Sequence, residues 1–130
     1  MAGELILIIE DNEKNLKLVR DVLQFNGYET AEAMTAEDGL VLARSRHPAL
    51  ILLDIQLPGM DGFAALRQLR ADPITKSTPV IAVTASAMEQ DRQKILAAGF
   101  DGYMTKPINV KQFIEEIRVV LVGLNRDSYG

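Results

Sequence analysis

The sequence of 130 residues contains no cysteine and a single histidine, His47. These absences exclude disulfide bonds, thiolate metal sites, iron–sulfur clusters, cysteine nucleophiles and any metal site built from several histidines. No apolar run approaches the roughly 18 residues that a membrane span requires, and the first residues lack the basic and apolar stretches of a secretory signal. We therefore expect a cytoplasmic protein that makes no membrane contact.

Positive charge is also scarce. Fourteen Lys and Arg residues against eighteen Asp and Glu residues give a formal net charge of −4. A protein that binds nucleic acid by charge normally shows a basic excess or a basic patch. Neither is visible in this sequence, so direct nucleic acid binding is not expected. The hydrophobic fraction of 48% and the charged fraction of 25% are typical of a globular domain and argue against disorder.

Short apolar runs alternate with longer segments of helical periodicity. Continuous apolar runs are typical of parallel strands buried on both faces, and they occupy residues 5–9, 50–53 and 80–83. Weaker strands are predicted over 28–33 and 102–105, and helices over 12–26, 35–46, 63–72, 86–99 and from 109 onward. The fourth helix is expected to begin at Ser86, because Ser86 and Glu89 have the spacing of a capping box.

Five successive strand–helix units predict an α/β fold, a doubly wound parallel sheet with helices on both faces. The sequence shows no internal repeat, low-complexity segment or interdomain linker. Residues 1–130 are therefore expected to form one domain with a core over about 4–124. The residues after 125 are too few for a second domain, so no output domain is expected.

Chemically active side chains follow the predicted strands. Because ligands of an open α/β sheet bind outside the carboxyl ends of its strands, these side chains are expected to share one crevice. Carboxylates so placed repel one another, and an all-oxygen site of this kind suits Mg²⁺. The residues at the strand ends are Glu10, Asp11, Asp54, Thr84, Ala85, Lys106 and Pro107.

A metal, a lysine, a hydroxyl and a carboxylate at one strand end predict phosphoryl transfer to aspartate. Asp54 is the predicted nucleophile, because it ends the most apolar strand, and Glu10 and Asp11 are better placed as metal ligands. Each of these residues alone is more simply read as a helix cap, a strand residue or an exposed side chain. Their joint occurrence at four strand ends makes that interpretation of the whole set improbable.

This set of residues resembles the receiver domain of two-component response regulators. The loops at residues 57–62 and 98–103 also resemble the corresponding loops of that family, and the similarity extends over about 4–124. The stretch at residues 10–15 is most similar to single-domain receivers of the DivK type and to receivers of hybrid kinases. Glu10 departs mildly from the family pattern, since many members carry two aspartates there.

The resemblance implies a flavodoxin-like (βα)5 fold with strand order 2-1-3-4-5. It implies that Asp54 accepts a phosphoryl group from a sensor histidine kinase or a histidine phosphotransfer protein, in a Mg²⁺-dependent reaction. Further implied roles are metal binding by Glu10, Asp11, Asp54 and the backbone carbonyl of Gln56, and phosphate binding by Thr84, Ala85 and Lys106. The resemblance also implies a switch role for Tyr103 and a cis Lys106–Pro107 bond. A downstream protein would dock on the surface of the fourth helix, fifth strand and fifth helix.

Other functions fit the sequence less well. The acidic loop after the first strand would repel the phosphate of a flavin, and the glycine fingerprints of dinucleotide and nucleotide binding are missing. A haloacid-dehalogenase-type phosphatase needs a second aspartate where Gln56 stands. Such an enzyme and a receiver-like interaction module without phosphotransfer remain the alternatives. Metal-dependent turnover of an added phosphate ester would favour the enzyme, and phosphotransfer at Asp54 decides between a receiver and the interaction module. The protein is otherwise expected not to be an enzyme with a separate substrate.

Overall fold

The computed structural model describes the backbone of residues 3–129 and the side chains of residues 3–123. The predicted domain runs from residue 1 to residue 130, and both of these residues lie outside the described part. The side chain of Leu124, at the predicted end of the core, also lies outside it. Five strands alternate with five helices along the chain. Their bounds are β1 Leu5–Ile9, α1 Glu13–Phe25, β2 Glu29–Ala33, α2 Ala36–Arg46, β3 Leu50–Asp54, α3 Gly62–Ala71, β4 Val80–Thr84, α4 Glu89–Ala97, β5 Gly102–Thr105 and α5 Val110–Tyr129.

The strands form one parallel sheet in the order β2-β1-β3-β4-β5. This order confirms the predicted flavodoxin-like topology. Strands β3 and β4 are buried along their whole length, because helices cover the sheet on both faces, and this burial explains their continuous apolar sequences.

Two hydrophobic clusters lie on opposite faces of the sheet. Alternate residues of β1 separate between them, with Leu7 in one cluster and Ile8 in the other. The first cluster includes residues of α2, α3 and α4, whereas the second includes residues of α1 and α5. The helices are therefore divided between the faces, as the sequence predicts for a doubly wound fold.

Four of the helices are capped at their N-termini by a side chain. Asn12, Thr35, Asp61 and Asn109 each accept a hydrogen bond from the backbone N–H three residues later, which satisfies a donor that the first helical turn leaves without a partner.

Within the described residues, no helix is both long and apolar enough to cross a membrane.

The prediction that Ser86 begins the fourth helix is wrong. Helix α4 begins at Glu89, and its N-cap residue, Met88, makes no side-chain cap. The Ser86 hydroxyl accepts a hydrogen bond from the Met88 N–H at 3.3 Å and donates one to the Asp91 carboxylate. Because Asp91 lies in the first turn of α4, these contacts join the β4–α4 loop to the helix that follows it.

Candidate functional site

The site lies at the carboxyl edge of the sheet, where β1 and β3 are neighbours and the strand order reverses direction. Crevices at this point of a doubly wound sheet are the usual ligand sites of the fold. Ile9 of β1 pairs with Leu53 of β3, so the residues that follow, Glu10 and Asp54, emerge side by side. The backbone N–H of Glu10 also donates to the Ala33 carbonyl at 3.0 Å, which extends the sheet contact by one residue.

Three carboxylates gather in this crevice. Ligand oxygens of Glu10, Asp11 and Asp54 all lie within 4.8 Å of one another. Glu10 is only 4% exposed and Asp54 only 2% exposed, whereas Asp11 faces solvent. The cluster is therefore open on the Asp11 side and closed at its base, where two acidic groups are largely removed from water.

Lys106 joins the two buried carboxylates. Its Nζ atom lies 3.0 Å from Oε1 of Glu10 and 3.0 Å from Oδ2 of Asp54. One ammonium group thus offsets part of the repulsion between two acids that would otherwise be costly to bury. When all four groups of the crevice are ionised, three carboxylates and one ammonium leave a charge of −2, which a divalent cation would balance.

Backbone N–H groups fix the other oxygens of the two buried acids. The N–H of Gln56 donates to Oδ1 of Asp54 at 2.8 Å, and the N–H of Asn12 donates to Oε2 of Glu10 at 3.1 Å. Each acid is therefore held by one backbone donor and by the shared lysine. This arrangement orients both carboxylates before any ligand arrives.

Gly62 allows the loop after β3 to fold back closely. Its N–H donates to the Ile55 carbonyl at 2.9 Å, and a Cβ atom added at Gly62 would lie 2.7 Å from the Ile55 Cα and 3.0 Å from the Asp54 carbonyl oxygen. Because both neighbours are backbone atoms, a side chain at residue 62 would displace the segment that carries Asp54 and Gln56.

Burial and charge set the protonation of the crevice. Burial, together with the hydrogen bond and negative charge of Asp54, raises the pKa of Glu10 to about 7, although the Asn12 N–H and Lys106 oppose the shift. Burial alone would lower the pKa of Lys106, but its bonds to Glu10 and Asp54 outweigh that effect and raise this pKa. The lysine is therefore charged at neutral pH, whereas Glu10 titrates near it.

Thr84 ends β4, the strand beside β3. Its buried hydroxyl accepts a hydrogen bond from the Ser86 N–H at 3.1 Å, so its own proton can still be donated to a ligand. Ala85 follows at an exposed position, where its small side chain leaves the backbone accessible. The Lys106 N–H donates to the Thr84 carbonyl at 2.8 Å, which ties the two strand ends together.

Lys106 and Pro107 follow β5 at the edge of the site. The Lys106–Pro107 peptide bond is cis. Tyr103, by contrast, lies within β5 opposite Ala82 rather than at the carboxyl end of the strand. Its half-buried ring packs against the first hydrophobic cluster, and the guanidinium carbon of Arg92 in α4 lies 5.6 Å from the ring centroid.

The structure thus brings Glu10, Asp11, Asp54 and Lys106 into one cluster, sets Thr84 and Ala85 beside it, and leaves Tyr103 farther along β5. Sequence reasoning missed the contributions of Asn12, Gly62 and Asp91. Asn12 lies in the stretch 10–15 and Gly62 ends the loop 57–62, and the resemblance of these segments to the receiver family was their only sequence signal. Asp91 carried no signal, because its contact with Ser86 depends on where α4 begins.

Comparison with known proteins agrees with this geometry. The family described as response regulator receiver domain matches residues 6–118. The polar-differentiation response regulator DivK of Brucella ovis is 46% identical over 116 residues, which cover 89% of this chain and 94% of that protein.

Two solved structures show the same architecture. The receiver domain of a sensor histidine kinase from Pseudomonas aeruginosa, which holds magnesium in its active-site cleft, is 31% identical with a TM-score of 0.84 and covers 92% of this chain and 98% of that one. A CheY-like receiver protein from Methanospirillum hungatei is 31% identical with a TM-score of 0.87, over 97% of this chain and 99% of that one. The chain therefore belongs to the response regulator receiver domains, the phosphoacceptor family of two-component signalling, as its sequence predicts.

Proposed function

We propose that Asp54 is the residue that accepts the phosphoryl group. The observation that carries the proposal is the pairing of a carboxylate only 2% exposed with the Lys106 ammonium 3.0 Å away, at the edge of the sheet where ligands bind. A buried carboxylate at such an edge is a suitable nucleophile for phosphorus, and the ammonium can shift from carboxylate to phosphoryl oxygen as charge moves.

The reaction exchanges one bond to phosphorus for another. An oxygen of Asp54 forms a bond to phosphorus while the bond between phosphorus and the histidine nitrogen of the donor breaks, and the freed imidazole keeps the bonding electron pair. Lys106 stays protonated throughout, because its ion pairs hold its pKa above the ordinary value. Lys106 and the Thr84 hydroxyl would then donate to phosphoryl oxygens, with Ala85 leaving room for them.

The donor set of the crevice fits Mg²⁺. Carboxylate oxygens of Glu10, Asp11 and Asp54 gather within 4.8 Å, and their net charge with Lys106 suits a divalent cation with oxygen ligands. These residues and the backbone carbonyl of Gln56 would hold the ion. When bound, Mg²⁺ supplies positive charge that stabilises the negative oxygens of the transferring group.

We infer that the signal leaves through α4, β5 and α5, with Tyr103 as the connection. The half-buried ring lies between the core and Arg92 of α4, so its position depends on both. Exposed apolar side chains on α4 and α5, Leu96, Val119 and Val122, favour a downstream protein as the reader. The formal charge of −4 argues against direct nucleic acid binding.

The described residues would thus act as one receiver domain in the cytoplasm, facing a histidine kinase or a histidine phosphotransfer protein. The protein assists its own phosphorylation and dephosphorylation and turns over no separate substrate, because the reacting group is its own side chain. A dehalogenase-type phosphatase needs an acid two residues after the nucleophile, and Gln56 stands there.

Transfer of labelled phosphate from a phosphorylated histidine kinase tests this function. Wild-type protein and Asp61→Asn are expected to become labelled, whereas Asp54→Asn is not. Asp61 is a matched control because it caps α3 through the Ala64 N–H, a role that asparagine also fills. Equal labelling of Asp54→Asn and wild-type protein would refute the assignment.

A further inference from the structure

A small cavity adjoins the site at Gln56 and Thr84. It has a volume of about 140 Å³ and lies between the loop after β3 and the loop after β4. Gln56, Thr84, Ser86 and Asp91 provide its polar wall, and Phe63 contributes to its apolar wall. A space of this size with several polar partners can hold a few water molecules. These waters would lie next to Gln56, whose N–H binds Oδ1 of Asp54.

The hydrogen bonds of Ser86 give its hydroxyl a fixed direction. A serine hydroxyl has one proton to donate, and here that proton goes to the carboxylate of Asp91. The Ser86 oxygen also accepts from the Met88 N–H at 3.3 Å. The remaining acceptor capacity of the oxygen is open to a water proton, whereas a phosphoryl oxygen, which has no proton, finds no donor there.

Asp91 is the only carboxylate among the residues that line this cavity. Lys94, the other charged residue of the wall, has no acceptor and places its ammonium 5.5 Å from the Phe63 ring centroid. Asp91 is therefore the one charged proton acceptor connected to the cavity, and Ser86 is the group through which it acts.

We propose that Ser86 and Asp91 form a proton relay for loss of the phosphoryl group from Asp54, which makes Asp91 a positioning residue for that step. The inference rests on the proposed phosphorylation of Asp54. A water oxygen bonds to phosphorus as the bond between phosphorus and the Asp54 oxygen breaks. The water proton passes to the Ser86 oxygen while the serine proton passes to Asp91, and inorganic phosphate leaves. Asp91 then releases its proton to solvent.

The half-life of the phosphorylated protein tests the relay. Asp54 is phosphorylated to the same level in each variant, the donor is removed, and the remaining phosphate is followed. Asp91→Asn and Ser86→Ala are each expected to slow its loss about tenfold, the effect of one lost charge-assisted hydrogen bond in the transition state. The double variant should be no slower than either single variant, because the two residues act as a unit.

Three further measurements separate a relay from a merely structural role. Asp91→Glu should restore part of the rate. The wild-type rate should fall more in D₂O than the rate of Asp91→Asn, because only the relay moves two protons. Gln93→Ala, an exposed change on the same helix, should keep the wild-type rate.

Failure of the relay can be distinguished from failure of the proposed phosphorylation of Asp54. Wild-type half-lives and isotope effects in Asp91→Asn and Ser86→Ala would overturn the relay while leaving Asp54 as phosphoacceptor. Failure to phosphorylate Asp54 in the wild-type protein would instead overturn the proposed function. Binding of beryllofluoride to each variant, followed by protein NMR, confirms that the fold and the phosphate site are intact, so an altered rate is not a sign of misfolding.

Discussion

The Nζ atom of Lys106 lies 3.0 Å from Oδ2 of Asp54, although 52 residues separate the two in the chain. The parallel pairing of β3 with β4 and of β4 with β5 brings them together, because all three strands end at the same edge. This contact joins the proposed nucleophile to the cation that would receive its phosphoryl oxygens. The fold and the chemistry of the site therefore depend on the same strand register.

Lys106→Met should destabilise the metal-free protein at pH 8. The substitution keeps an apolar stem but leaves the carboxylates of Glu10 and Asp54 buried without their shared cation. Breaking a buried ion pair in this way costs about 3 kcal/mol, at the low end of the usual range because the crevice is open at Asp11. Urea denaturation measures the change. Lys111→Met, at an exposed position, is the control. An equally small effect of both variants would show that Lys106 does not stabilise the two buried carboxylates.

Stability in the absence of metal should fall as pH rises from about 5 to 8. The pKa of Glu10 is about 7 in the folded protein against 4.5 ordinarily, so between these values the folded state binds more protons than the unfolded state. Under that condition unfolding free energy decreases with rising pH. Compared with a glutamate of ordinary pKa, Glu10 with the full shift lowers the free energy of unfolding by roughly 3 kcal/mol above pH 7.

Glu10→Gln should remove this pH dependence, because the amide stays neutral and its oxygen can still accept from Lys106. We expect the variant to be more stable than wild type at pH 8 and to differ little near pH 5, as measured by urea denaturation in chelator. Parallel stability curves for the two proteins over this range would show that Glu10 is not the titrating group.

Asp11→Ala should abolish the stabilisation that Mg²⁺ gives. A ligand that binds only the folded state stabilises it by about 2.7 kcal/mol at a hundredfold excess over Kd, and we expect a rise of this kind in the melting temperature of wild type. Without metal, the variant should be as stable as wild type or more so, because one charge leaves an acidic cluster. Glu13→Ala, nearby but outside the cluster, should keep the full response. A retained response in Asp11→Ala would place the metal elsewhere.

Beryllofluoride should shift amide resonances across residues 86–110, beyond the lining of the crevice. The expected cause is movement of the Thr84 hydroxyl toward the phosphate mimic and of the Tyr103 ring into the space it leaves. Coupling of this kind is typically worth about 1–3 kcal/mol. Thr84→Ala should confine the shifts to the crevice while Asp54 is still phosphorylated, though more slowly. Shifts confined to the crevice in wild type would exclude Tyr103 as the connection.

Most of the strands and the acidic cluster could be predicted from the sequence, for a physical reason. Strands buried on both faces show continuous apolar runs, so the residues at their ends, such as Asp54 and Thr84, can be read directly. Parallel strands then place those ends at one edge. The bridge from Lys106 to Glu10 could not be predicted. These residues follow β5 and β1, with β3 and β4 between them, so the contact depends on how far the two side chains extend.

The β4–α4 loop shows where the pattern was insufficient. Ser86 and Glu89 have capping-box spacing, yet α4 begins at Glu89 and Ser86 bonds to Asp91 instead. A serine can satisfy several nearby backbone and side-chain groups, and spacing alone does not choose among them. Helix α4 buries only Ile95, so its apolar pattern fixes its start weakly. The contact of Arg92 with Tyr103 depends on the same placement of α4.

Mapping the phosphoryl group by mass spectrometry identifies the phosphorylated residue directly. Wild-type protein is incubated with acetyl phosphate, once with Mg²⁺ and once with excess chelator, and digested under conditions that preserve aspartyl phosphate. We expect one modified peptide that contains Asp54, formed with Mg²⁺ and lost with chelator, and its absence in Asp54→Asn but not in Asp61→Asn. Modification at another residue would rule out Asp54 as the phosphoacceptor, and equal modification of Asp54 in chelator would rule out its dependence on Mg²⁺.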